Sequence, residues 1–157
     1  MKINTLVTAW ISTLFLFSLL MISCSRGFKT DLGTGLKMTY NGVGVGDSYL
    51  TLDGEKFNSR RIPLGKDIAV VLEEVSGLRI KDGSYTILFE TEVTDAQGNY
   101  LLQYSDTLVE PDVDLLRSYL TVAEPMAAGQ TYKWLSTFTD LNGDGVVKAA
   151  IDLDIVE

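Results

Sequence analysis

Three stretches of this chain carry side chains that can hold an ion, share a proton or take a covalent group. Asp140-Leu141-Asn142-Gly143-Asp144-Gly145 sets oxygen donors at alternate positions and adds glycine. That is the first half of a calcium loop, which surrounds a hard cation with oxygens and needs a sharp turn. Asp140, Asn142 and Asp144 are therefore the candidate metal ligands, and Ca²⁺ is the one cofactor to weigh. The second half departs from the pattern. Ile151 stands where the bidentate glutamate belongs, Lys148 holds the ninth position, and Asp152 comes one residue late. Asn-Gly and Asp-Gly are also ordinary hairpin residues, because both tolerate positive φ. Ion site and plain turn both stay open.

The second place is Glu90 and Glu92, which share one face of an alternating segment. Paired carboxylates about 5–9 Å apart run glycoside hydrolysis, but two carboxylates on a strand are also what a solvated sheet face carries. The chain has no histidine. That removes the usual general base, the Ser-His and Cys-His nucleophile pairs, and the commonest transition-metal ligand. No catalytic residue is assigned, and the expectation is a protein that is not an enzyme. Gly42-Val43-Gly44-Val45-Gly46 has the look of a phosphate loop, but it lacks a following Lys-Ser/Thr and a helix. A bulge or a flexible crossing suits it better.

The third place is Cys24, the only cysteine. It follows Ser23 at the end of a segment with one positive charge, Lys2, and a long apolar run. That is the layout of a secretory signal. The uncharged stretch 3–25 is also long enough to span a bilayer, which takes about 20 apolar residues. A spanning helix, however, has no basic cluster beside it here. Met21-Ile22-Ser23-Cys24 resembles the bacterial lipobox, with methionine in place of the usual leucine. The resemblance implies cleavage before Cys24 and lipidation of that residue. The chain then divides into a signal peptide (1–23), a lipidated cysteine and tether (24–35) and one domain (36–157). By resemblance to the sorting rule for such lipoproteins, the absence of aspartate directly after Cys24 implies the outer membrane. The first acid comes only at Asp31, so the expectation favours the periplasmic face over the cell surface.

The elements that would carry these residues read as strands. About 130 residues remain after cleavage, enough for one domain with its own core. They carry 12 basic and 21 acidic residues, a charge of −9. That balance opposes nucleic-acid binding and adhesion to anionic lipid. Apolar residues recur at period two between turn signals. Ile68, Val70 and Leu72 share a face; so do Tyr85, Ile87, Phe89, Thr91 and Val93. Tyr132, Trp134, Ser136 and Phe138 share another, followed by Val147, Ala149, Ile151, Leu153 and Ile155. Asp95-Ala96-Gln97-Gly98-Asn99 reads as a hairpin turn. One segment breaks the pattern: Pro111 to Tyr119 predicts a short helix, with Pro111-Asp112 at its start.

Met126-Ala127-Ala128-Gly129-Gln130-Thr131-Tyr132 resembles the fibronectin-type-III corner, a glycine turn followed three residues later by tyrosine. The resemblance implies an all-β immunoglobulin-like antiparallel sandwich of about seven or eight strands. In it, Gly129 makes the turn, Tyr132 bonds back to the backbone at the start of strand F, and Trp134 packs inward. The chain also resembles small single-domain lipoproteins of Bacteroidota. That resemblance lies in Ile62-Pro63-Leu64-Gly65, Lys81-Asp82-Gly83, Val93-Thr94-Asp95, Pro125-Met126 and Asp140 with Gly143. These are turn and corner residues, and they imply a fold without an activity.

In such a sandwich the B–C loop lies at the same end as the F–G loop. Glu73, Glu74, Arg79, Lys81 and Asp82 in the former are candidate binding residues. The expected partners are the membrane, through the lipid, and another envelope protein. A glycan is the alternative, and it would need two or more of Tyr49, Tyr100, Tyr104 and Tyr119 to form a flat exposed platform. The expected function is a cell-envelope lipoprotein that binds or supports other proteins without catalysis.

Overall fold

The structure, a computed structural model, describes residues 26–157. Cys24 and the segment before it lie outside the described residues. All the regular structure described is β, in two antiparallel sheets packed face to face. The larger sheet runs β1 (Arg26–Thr30), β2 (Lys37–Asn41), β11 (Val146–Val156), β10 (Thr131–Asp140), β7 (Tyr85–Thr94) and β8 (Tyr100–Glu110). A short β5 (Arg61–Pro63) pairs parallel with the end of β11. The smaller sheet runs β4 (Glu55–Phe57), β3 (Asp47–Leu52), β6 (Asp67–Glu73) and β9 (Leu115–Thr121).

This is the immunoglobulin-like arrangement. Strands β3, β6 and β9 stand as A, B and E, and β7, β10 and β11 as C, F and G. The chain crosses between sheets after β2, β4, β5, β6, β8 and β9. The described residues form eleven strands against the expected seven or eight. The surplus comes from the β1–β2 hairpin, from β4, which folds back antiparallel on β3, from the short β5 beside β11, and from β8 beside β7.

The core follows from alternation. On β10, Tyr132, Trp134, Ser136, Phe138 and Asp140 turn inward. On β11, Val147, Ala149, Ile151, Leu153 and Ile155 do the same. Strand β6 is buried on both faces: Ile68, Val70 and Leu72 meet the other sheet. Ala69 and Val71 lie on the outer face, screened by their cross-strand neighbours Tyr119, Tyr49 and Arg117.

A chain of hydroxyls crosses the core. Ser136 Oγ donates to Ser118 Oγ on the opposite sheet at 2.7 Å, and Thr91 Oγ1 lies 3.3 Å from Ser136 Oγ. The indole Nε1 of Trp134 donates to Thr91 Oγ1 at 2.8 Å. Each buried polar atom in this row therefore has a partner, as burial requires.

Two expectations are corrected. The segment 111–119 holds no helix. Leu115–Thr121 is β9, paired with β6 along its whole length. Leu116, Ser118 and Leu120 face inward with period two. A serine at the middle inward position hides that period, and only Ser136 across the core explains its presence. The segment 26–30, expected within a tether, is β1. Its inward positions are Gly27 and Lys29, so no apolar alternation marks it. Gly27 leaves room for the Tyr40 ring, which a Cβ at that position would strike. Lys29 Nζ donates to the carbonyls of Val45 and Gly46, each at 2.7 Å.

At the corner before β10, Gly129 adopts φ +79, which an L side chain rarely takes. Tyr132 opens the strand, and its Oη accepts a hydrogen bond from the Ala127 N–H at 3.1 Å. Tyr132→Phe keeps the buried ring and removes only the acceptor. It is expected to lower stability by about 1 kcal/mol, read as a shifted urea midpoint at constant slope. An unchanged midpoint would show that water replaces the bond and that the corner does not depend on it.

Candidate functional site

The B–C and F–G loops meet at one end of the sandwich. The inner carboxylate at the end of β10, Asp140, is only 3% exposed and joins them. Its Oδ2 accepts the Arg79 N–H at 2.8 Å and its Oδ1 accepts the Asn142 N–H at 2.9 Å. The Asn142 amide then reaches back, donating to the carbonyls of Arg79 at 3.2 Å and Ser84 at 3.1 Å. The Arg79 guanidinium lies 3.8 Å from the Asp144 carboxylate, with both groups well exposed. Gly143 is required here, since a Cβ would come within 2.5 Å of Asp140 Oδ2.

The result is two loops clasped through backbone hydrogen bonds, with Ile80 58% and Leu141 51% exposed at their tips. Lys81 and Asp82 sit on the turn between Lys81 and Ser84, closed by a pair of backbone bonds, and Asp82 takes φ +52. Arg79, Lys81 and Asp82 thus join Asp140, Asn142 and Asp144 at one place.

Glu73 and Glu74 go elsewhere. Glu73 accepts the Tyr49 hydroxyl on the outer face of the smaller sheet, and that bond holds the phenol above its usual range. Glu74, at φ +54, lies against Gly46. An ion bound by Asp140, Asn142 and Asp144 would have to compete with the hydrogen bonds of the clasp. Among the described residues no three acidic, cysteine or histidine side chains are grouped to hold a metal.

The four tyrosines do not share a plane. Tyr49 and Tyr119 lie on the outer face of the smaller sheet with β6 between them. Lys56 Nζ covers the Tyr49 ring at 3.8 Å from its centre. Tyr104 is level with the inward Thr91, and Tyr100 is level with the outward Thr94 across an irregularity in the β7–β8 pairing. Those two therefore project from opposite faces of β8. Glu90 and Glu92 point outward beside Ser105 and Gln103. With Leu135 and Thr137 they line a shallow groove of ≈ 390 Å³ open to solvent.

A feature that sequence reasoning missed is the outer edge of β8. This strand has 11 residues and, among the described residues, pairs with β7 on one side alone. Soluble proteins blunt such edges with lysine, proline, short length or bulges. Tyr100-Leu101-Leu102-Gln103-Tyr104-Ser105-Asp106-Thr107-Leu108-Val109-Glu110 has no Lys, Arg or Pro. Its one irregularity lies near its start, opposite Val93 and Thr94. Tyr100, Tyr104 and Val109 are exposed along it. The Tyr104 hydroxyl donates to Asp106 at 3.0 Å. Its ring lies 6.2 Å from Phe89, which stacks on Phe138 at 5.0 Å, so the strand is braced from the core. The signal in the sequence is the alternating run itself; nothing local says that a strand will lie at an edge.

No protein-family model and no curated protein matches the chain. Among solved structures it is similar to an immunoglobulin-like protein of Pseudomonas aeruginosa, at 16% identity and a TM-score of 0.45, over 72% of this chain and 95% of that one. The immunoglobulin-like arrangement rests on the chain's own strand order.

Proposed function

We propose that this protein is a non-catalytic binding module of a bacterial cell envelope, held by lipid on Cys24 to the periplasmic face of the outer membrane. Its site is the free edge of β8, which takes an extended segment of another envelope protein as an added strand. The observation that carries this reading is the length and composition of that edge. Eleven residues offer a row of backbone donors and acceptors, with no lysine, arginine or proline among them and Asp106 and Glu110 as the strand's two charges. Backbone pairing supplies affinity in strand addition, and side-chain pockets supply selectivity. Tyr104 and Leu102 on one face and Val109 on the other are the side chains an incoming strand would meet.

A photo-crosslinker at Thr107 tests the proposal in intact cells. The expected result is a discrete adduct with one envelope protein. In Gln103→Lys/Val109→Lys it should fall by about tenfold, because lysines along an edge oppose pairing, while the unfolding midpoint stays at the parent value. An adduct of equal yield in the variant would rule out the edge as the site.

A further inference from the structure

The start of β1 bears on how the molecule stands on a membrane. Arg26 is level with Asn41, and Asn41 is level with Val146, the first residue of β11. The described chain therefore begins at the foot of the F–G loop, at the end of the sandwich where Arg79 and Asp140 clasp the loops. Strand β1 runs from that end toward the other, so the chain enters it at the loop end. Cys24 is two residues before Arg26, and two residues span at most about 7 Å. Strand β10, of 10 residues, is about 33 Å long at about 3.3 Å per residue. A leash that short cannot stand the molecule on its opposite end.

We infer that the clasped B–C and F–G loops rest against the lipid headgroups, with the strands standing away from the membrane and the β8 edge upright. The inference rests on the proposed lipidation of Cys24. The exposed aliphatic tips Ile80 and Leu141 meet the interface, flanked by Arg26, Arg79 and Lys81. Asp82 and Asp144 lie in the clasped loops, and Glu73, Glu74, Asp112 and Asp114 stand apart from the clasp on the smaller-sheet side of the same end, so the surface it fits is zwitterionic rather than strongly anionic. The clasp then has a mechanical purpose, since it keeps the face nearest the bilayer in one shape. The hairpin at Asp95–Asn99 and the corner at Gly129 project into the periplasm.

The lipidated mature protein, beginning at Cys24 and reconstituted in phosphatidylethanolamine and phosphatidylcholine vesicles, allows a direct test. Lipidation consumes the thiol of Cys24, so an introduced cysteine is the sole labelling site. Leu141→Cys, Gln97→Cys and Leu32→Cys would each carry an environment-sensitive fluorophore, with a headgroup nitroxide lipid as quencher. Gln97 marks the far hairpin and Leu32 the far end of β1. The expected result is several-fold stronger quenching at 141 than at 97 or 32. Equal quenching at 141 and 32 would mean that the domain lies along β1, and equal weak quenching at all three would mean that it hangs free; either overturns the inference. Intact mass separates the two premises. Absence of the acyl mass removes the anchor and this orientation with it, whereas a lipidated protein with the wrong quenching pattern removes the orientation alone.

Discussion

Trp134→Ala is expected to destabilise the domain by about 3–5 kcal/mol, the range for truncating a buried aromatic side chain. Trp134 is 1% exposed and sits at the centre of β10, between β7 and β11. Its loss opens a cavity under both neighbours. It also removes the indole N–H from the row of hydroxyls through Thr91, Ser136 and Ser118. Against a typical total of about 5–15 kcal/mol, this is a large share. The melting temperature should fall by about 10–20 °C, at a few degrees per kcal/mol for a domain of this size. Trp134→Phe narrows the comparison, because it keeps a buried aromatic ring while removing the donor and the five-membered part of the indole. It should cost about 1–2 kcal/mol. Urea denaturation of both variants is the measurement. A loss under about 1 kcal/mol for the alanine variant would mean that the two sheets close over the gap.

Asp140→Ala is the second large effect, expected at about 2–4 kcal/mol. A hydrogen bond to a charged acceptor is worth about 1.5–3 kcal/mol, and a buried donor left unpaired carries its own cost. Asp140 holds two such donors, the N–H groups of Arg79 and Asn142, on two different loops. Hydrogen exchange should therefore accelerate at Arg79 and Asn142 while the amides of β10 and β11 keep their protection. Asp140→Asn should fall between parent and alanine. It retains one acceptor oxygen but turns an amide N–H₂ toward a backbone donor. Ca²⁺ titration of the same proteins tests the ion reading of this loop. A saturable rise in melting temperature, absent from Asp140→Ala, would put an ion on these oxygens. An unmoved parent protein would leave the clasp as their use.

The faces of β6, β7, β10 and β11 are legible in the sequence, because each alternates residue types against one core. The corner at Gly129 and Tyr132 is legible for a different reason: a left-handed turn and a return bond are local, within five residues. Strand β1 is hidden because its inward residues are glycine and lysine, which serve Tyr40 and the carbonyls of Val45 and Gly46. Strand β9 is hidden because Ser118 faces the core. Its partner, Ser136, lies on another strand of another sheet.

The candidate site divides in the same way. The turn character of 140–145 can be read from Asn-Gly and Asp-Gly alone. That Asp140 holds Arg79, a residue 61 positions away, cannot. The five charged residues of the B–C loop look like one group in the sequence, yet the positive φ of Glu74 and the bond from Tyr49 to Glu73 send two of them elsewhere.

The periodic faces, the turns, the lack of histidine and the position of the lone cysteine can all be read along the chain, since they depend on side-chain type and near neighbours. Tertiary structure alone decided which strand became an edge, which polar groups met inside the core, and at which end of the sandwich β1 begins. Those outcomes depend on strand order and register, and strand order is set by contacts between segments far apart in the chain, which no local spacing records.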